Sequence, residues 1–225
     1  APKFILKSPG EFWLQPALLM TLVYRFGPAG STATGPQRSM ANGQCFMVNR
    51  LWLERIDGYR TARASFCDDV TLARNLAAAG AKVGFWDGSQ VLLVRMYEGV
   101  KETWQEWGRS LDLKDASSVA QLWGDVAFLS LVQALPWGLV PSLWWLQQMS
   151  PSGWSLVLHI LLGVNIGFLM IRLGMQLAVA SAYRFKGAQG VWAFVLSPLA
   201  DVPAVIRIVL SALRTPTQWR GRQYP

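Results

Sequence analysis

The sequence predicts an α/β membrane protein, in which a polar first half of mixed strands and helices leads into a transmembrane helix pair and interfacial helices. Three observations predict it. The chain is 52% hydrophobic and only 15% charged, with a mean hydropathy of +0.25, which is too apolar for an ordinary soluble domain. Between Asp125 and Arg172 the only ionisable side chain is His159. Ahead of that interval, strand and helix signals alternate and are punctuated by Asp-Gly and Gly turns. The chain divides into an interfacial amphipathic segment (residues 1–30), a cytosolic α/β portion (31–115) and a membrane region (116–225).

Charge and cysteine usage narrow the partners. The net charge of +8 comes from Lys and Arg spread thinly along the chain. That pattern fits attraction to anionic lipid headgroups and gives no dense patch for nucleic acid. Cys45 and Cys67 lie 22 residues apart with no Cys or His companions to complete a zinc set, so they read as buried thiols in a reducing compartment. Ala1 in place of Met suggests a processed, trimmed or partial chain, and no signal-peptide pattern opens it.

Taken in order, the elements begin with Phe12 to Phe26, a 15-residue apolar stretch carrying one charge, Arg25. It is too short to span a bilayer, so a helix lying on the membrane or packed against the helix pair is expected. Gln44 to Asn49 reads as a short strand and Arg50 to Ile56 as a helix ending at the Asp57-Gly58 turn. Asp68 or Asp69 opens a helix through Ala79, capped by Gly80, with Val70, Ala73, Leu76 and Ala77 on one face. Lys82 to Trp86 and Gln90 to Val94 read as strands about Asp87-Gly88. Val100, Trp104, Trp107 and Leu111 recur at helical spacing and form one apolar stripe, which suits an interfacial helix leading into the membrane.

Val126 to Leu146 and Trp154 to about Met175 meet the length a bilayer core requires, about 20 residues each. Pro136 and Pro141 are tolerated where neighbouring helices satisfy the freed carbonyls. Gln147 to Gly153 joins them as a tight turn without Lys or Arg, while Arg109, Lys114, Arg184 and Lys186 flank the pair. Positive-inside bias therefore puts the polar half and the C-terminal tail on the cytoplasmic side of an integral membrane protein. Arg172 sits near that side, where its stem can snorkel to the headgroups. Residues 190–213 are interrupted by Pro198, Asp201, Pro203 and Arg207, and are expected as a re-entrant or interfacial helix pair. Trp219 and Tyr224 in the basic tail are expected as interface anchors.

The residues from Met40 to Trp107, including Met40-Ala41-Asn42-Gly43-Gln44, the acidic doublet Asp68-Asp69 and Val94-Arg95-Met96-Tyr97, resemble the acceptor-side half of a membrane-bound family 2 glycosyltransferase. The likeness is to the branch that glycosylates carotenoids or other polyisoprenoid lipids, and the Trp helix, the membrane pair and the Pro-Thr-Gln-Trp-Arg-Gly-Arg ending extend it. The resemblance implies that residues 31–115 are part of a GT-A-type domain. It implies an inverting transfer from a nucleotide-sugar donor to the hydroxyl of a hydrophobic acceptor lipid at the bilayer, with a divalent metal (Mg or Mn). No Asp-x-Asp occurs in the 225 residues, so the metal ligands and the donor-binding half are expected outside this chain.

Asp69 stands where the family has its general base, which accepts the acceptor hydroxyl proton. A first-turn Asp also caps backbone N–H groups, and that role is expected of Asp68. Asn42, Gly43 and Gln44 match a segment where either a close backbone approach to substrate or a plain turn explains the glycine. Trp104, Trp107 and Arg109 lie where related enzymes close over the donor pyrophosphate, Arg109 as a bidentate phosphate contact. The two Trp residues serve equally as interface anchors or as an acceptor platform. Arg95 contacts the donor or pairs with Asp87 or Glu98. Two other classes remain open: a non-catalytic subunit that binds lipid, carotenoid or a pigment-protein partner, and the acceptor half of a split transferase with a donor-domain chain in a larger membrane complex.

Overall fold

The computed structural model describes residues 1–31, 35–107, 111, 113, 116–149, 156–185, 190–214, 218–219 and 222–223. Its elements are β1 (Lys3–Leu6), α1 (Pro9–Phe26), α2 (Arg50–Arg55), α3 (Asp68–Ala78), β2 (Leu93–Val94) and α4 (Gly99–Glu102), which continues as a π-turn over Thr103–Trp107. Then come α5 (Val119–Met149), α6 (Leu156–Val179), β3 (Tyr183–Phe185), α7 (Val191–Val195), α8 (Asp201–Leu213) and the strands β4 (Gln218–Trp219) and β5 (Arg222–Gln223). The result is a mixed architecture of many helices around a small parallel sheet.

The sheet has the order β2-β1-β3, with β1 parallel to both neighbours, so Phe4 sits opposite both Val94 and Tyr183. Parallel strands require long crossovers, and here both halves of the chain contribute an edge. The sheet corrects two strand expectations and shortens a third, Gln90 to Val94, to Leu93–Val94. Gln44 to Asn49 and Lys82 to Trp86 carry no strand, and β3, which no periodicity announced, closes the sheet. Lacking strand partners, the Asp87-Gly88 turn links no hairpin. Instead Asp87 accepts from Ser89 N–H at 2.9 Å and Gly88 N–H donates to Ala1 O at 2.8 Å.

The first helix is the centre of the molecule. Phe12, Leu14, Ala17, Leu18 and Met20 are fully buried, because α4, α7 and α8 all pack on α1. Of the two alternatives for this segment, packing holds: its partners are chiefly α7 and α8, together with the first of the two long helices. Gly190 makes the approach possible: a Cβ there would lie 2.1 Å from the Phe12 ring. Leu14, Ala17 and Leu18 continue into a core with Trp107, Leu122, Val126, Leu129, Ala204 and Ile208.

Two helices, Val119–Met149 and Leu156–Ala182, are long and apolar enough to cross a membrane. They extend a few residues beyond the intervals expected from charge alone, so the first now includes Asp125. Their apolar side chains point mostly outward, as at Leu177, 78% exposed, and Leu156, 75% exposed. A π-turn at Ser130–Ala134 precedes Pro136, a local unwinding that absorbs the carbonyls a proline cannot serve. Trp154 and residues 150–153 of the expected turn lie outside the described residues, as do Lys114, Lys186 and Tyr224.

Arg172 does not snorkel. It is 1% exposed, and its Nε and Nη2 donate to the two Asp201 oxygens at 2.8 and 3.0 Å. Gln133 Nε2 donates to the same carboxylate at 2.9 Å and Trp137 Nε1 at 3.4 Å. Segment 190–213 breaks into α7, a 3₁₀ turn at Ser197–Ala200 and α8, and the break delivers Asp201 to α6. A carboxylate supplied inside a poorly hydrated interior outcompetes a long reach to water.

Candidate active site

The site is built on the start of α3. Asp68 Oδ1 accepts from Asp69 N–H at 2.9 Å, and Asp69 Oδ1 accepts from Val70 N–H at 2.8 Å. Helix-starting amides need such partners, which explains why an acidic doublet opens this helix. The far end closes with Gly80 at φ +94° and Ala81 N–H donating to Leu76 O at 3.0 Å, a left-handed cap that suits glycine. Leu72, Ala73 and Leu76 bury one face.

Arg74, on the same helix, holds it to the rest of the molecule. Its Nε donates to Ser39 O at 3.3 Å, and its Nη1 donates to Ala116 O and, at 3.1 Å, to Ser117 Oγ. The helix bearing Asp69 is thus bolted to the stretch that leads into α5.

Asp69 is half-buried, and its second oxygen accepts from Gly43 N–H at 2.6 Å. The Asn42-Gly43-Gln44-Cys45 segment is a tight turn: Asn42 Oδ1 accepts from Gln44 N–H at 3.1 Å, and Cys45 N–H donates to Asn42 O at 3.2 Å. A Cβ on Gly43 would meet Asp69 Oδ2 at 3.5 Å, an ordinary contact. Space therefore does not demand this glycine; the turn reading accounts for the backbone. Burial pushes the Asp69 carboxyl above the usual carboxylate range and the neighbouring Asp68 charge adds to the rise, outweighing the two amide hydrogen bonds. Beside this turn opens a cavity of about 820 Å³ lined by Asn42, Cys45, Phe46, Trp52, Trp86 and others, mostly apolar.

The remaining candidates separate into three groups. Gln44 reaches across to the Met96 sulfur, so the turn that holds Asp69 touches the Val94-Arg95-Met96-Tyr97 segment. Arg95 is bound to two carboxylates: its Nη2 donates to Glu11 Oε1 at 2.8 Å and its Nη1 pairs with Glu98. Glu11, fully buried, also accepts from Lys7 N–H at 2.8 Å, Ser8 Oγ at 2.9 Å and Gly99 N–H at 3.0 Å. Sequence reasoning weighed Asp87 and Glu98 as partners of Arg95 and missed Glu11. The signal available was a lone carboxylate in an otherwise apolar stretch.

Trp107 is a correction. At 4% exposure, with its ring centroid 5.9 Å from Phe4 and 6.2 Å from Tyr97, it belongs to the core and serves neither as a surface anchor nor as an exposed platform. Trp104 is half-buried. Arg207 lies 5.9 Å from its ring centroid and donates to Trp104 O at 2.7 Å and Gln105 O at 3.2 Å. Arg109 lies outside the described residues.

Among the described residues no group of three or more His, Cys, Asp and Glu comes together. The Asp68-Asp69 pair does not fit a divalent-metal site by itself. No family model, curated protein or solved structure matches the chain.

Proposed function

We propose that this chain is the acceptor-side and membrane half of a glycosyltransferase that moves a sugar from a nucleotide-sugar donor to the hydroxyl of a membrane lipid, such as a carotenoid or another polyisoprenoid alcohol. One observation carries the reading. Asp69, the residue that the family resemblance makes the base, is a half-buried carboxylate of raised proton affinity bound to the Asn42-Gly43-Gln44-Cys45 turn, whose Asn42 and Cys45 line a large apolar cavity. Raised affinity suits a group that must take a proton near neutral pH. Asp69 takes the proton of the acceptor hydroxyl while that oxygen attacks the anomeric carbon; the bond to the nucleoside diphosphate breaks and configuration inverts.

The two outward-facing apolar helices support an acceptor delivered from the bilayer. Met47, Trp86 and Val91, 91%, 78% and 87% exposed around the cavity, favour a surface that a donor-binding portion covers, on the same polypeptide or on a partner. That portion supplies the metal ligands. Membranes containing the protein are incubated with radiolabelled nucleotide sugars and a carotenoid diol, and labelled glycolipid is counted. Asp69→Asn lowers transfer by about 100- to 10,000-fold while its membrane fraction stays unchanged; equal turnover in the variant removes Asp69 from the mechanism.

A second reading rests on the absence of Asp-x-Asp: a non-catalytic subunit that binds carotenoid or lipid. Stoichiometric carotenoid in the purified protein, with no transfer in membranes of the native source, favours it.

A further inference from the structure

Residues 44–49 and 82–86 have the composition of strands, yet neither segment carries one. Their burial nevertheless alternates with a period of two. Phe46 and Val48 are half-buried between exposed Cys45, Met47 and Asn49, and Val83 and Phe85 are half-buried between exposed Lys82, Gly84 and Trp86. One face of each segment is covered, as in a strand lying on a helix layer. The cover is α3, whose Leu72 and Leu76 pack with Phe46, Val48 and Val83. Both segments line the cavity of about 820 Å³. Among the described residues, no hydrogen bond engages the main chain of Phe46, Met47, Val48, Val83 or Gly84.

Main-chain N–H and C=O groups require partners, and exposed apolar side chains such as Met47 and Trp86 favour a cover. These two demands select the occupant of the cavity. A small apolar molecule covers the side chains but leaves the main-chain groups unpaired. Water does the reverse. A β-strand meets both demands, because its own main chain completes the ladders while its alternating side chains cover the apolar walls. A missing neighbour also explains why strand-like sequence forms no strand here, since an extended segment becomes one only by pairing. We infer that a β-strand of the donor-binding portion inserts into the cavity and pairs through its main chain with residues 46–48 and 83–84. That the strand belongs to this portion rests on the acceptor-half reading above; that it is a strand rests on the two segments. Successive amides of a strand point to opposite sides, so only every second amide of each segment faces the inserted neighbour.

The protein is purified in dodecyl maltoside from the membranes in which it occurs and, separately, after expression of the 225 residues alone. Amide hydrogen exchange is then read residue by residue by mass spectrometry with electron-transfer fragmentation. In the native preparation either Met47 or the pair Phe46 and Val48, together with one of Val83 and Gly84, exchanges about 100-fold more slowly than in the chain alone. The amides between them exchange equally in both. Adding the carotenoid diol zeaxanthin to the chain alone does not reproduce the pattern. Met47→Glu places a charge against the inserted strand and abolishes the slowing, yet leaves the Tm of the chain alone unchanged because Met47 is exposed there. Leu51→Glu, exposed on α2 and outside the cavity, leaves both unchanged. Should Met47→Glu lower that Tm, Trp86→Glu repeats the test from the other segment. Equal exchange in the two preparations, slowing of consecutive amides alike, the same pattern from zeaxanthin, or equal effects of the Met47 and Leu51 variants overturns the inference. Glycosyl transfer without the alternating pattern sinks the strand and leaves the Asp69 reading in place, whereas the pattern without transfer keeps the strand and removes the sugar-transfer reading.

Discussion

Replacing Asp201 by alanine removes the carboxylate on which α6, α5 and α8 converge. Arg172, 1% exposed, loses its bonds at 2.8 and 3.0 Å and keeps Gln176 Oε1 at 2.8 Å; Gln133 retains Ala17 O, and Trp137 loses its acceptor. An unpaired buried guanidinium of this kind costs about 3–5 kcal/mol. For a chain of this length, 1 kcal/mol moves Tm by about 2–4 °C, so a fall of roughly 6–20 °C is expected. The assay is thermal unfolding of detergent-solubilised protein, wild type against Asp201→Ala, Arg172→Met and the double variant Arg172→Met/Asp201→Leu. Removing both charges while keeping apolar volume restores most of the loss, because replacing a buried pair by hydrophobic groups is often neutral. A fall of less than about 3 °C in Asp201→Ala, or a double variant as unstable as the two single losses added together, would refute the claim that the pair is a coupled unit.

The other expectations concern carboxylates in the polar half. Burial alone would raise the Glu11 carboxyl, but the donors from Arg95, Gly99, Lys7 and Ser8 hold it below its ordinary value of 4.5. Its stabilisation is therefore present above that value and lost as pH falls. Glu11→Ala leaves Arg95 with Glu98 alone and unpairs the Lys7 and Gly99 amides, which costs about 1–3 kcal/mol at neutral pH; a loss under about 0.5 kcal/mol in denaturant unfolding sinks this role. Asp69 has the opposite sign: with its proton affinity raised above the ordinary 3.8, its contribution is complete below that value and is lost as pH rises through the folded-state value. The Tm of Asp69→Asn relative to wild type should therefore climb between about pH 3 and about pH 8, and a flat or falling difference contradicts the burial argument.

Helices with strong local signals were legible in the sequence. The acidic start and glycine end of α3 put its span within a residue of the observed Asp68–Ala78, and the Asp57-Gly58 turn put the end of α2 within a residue of the observed Arg55. The two long apolar helices follow from missing charge alone. Of the sheet, β2 falls inside the expected Gln90 to Val94, but β1 and β3 were not legible, because four or fewer residues carry too little periodicity and their partners lie far along the chain: Phe4 pairs with both Val94 and Tyr183. The site divides the same way. Asp68 and Asp69 were visible as a doublet, but that Gly43 N–H meets Asp69 26 residues away, and that Glu11 meets Arg95 across 84, depends on the fold.

By itself the sequence determined which segments are apolar, where helices start and stop, and which side chains bear charge, since those properties are set by each residue and its near neighbours. Only the tertiary structure decided what each charge faces. It buried α1 at the centre, turned Trp107 into core, and brought Asp201 to Arg172 across 29 residues. The physical reason is that the free energy of a buried charge depends on the partner and dielectric around it, and both are supplied by chain that is distant in sequence.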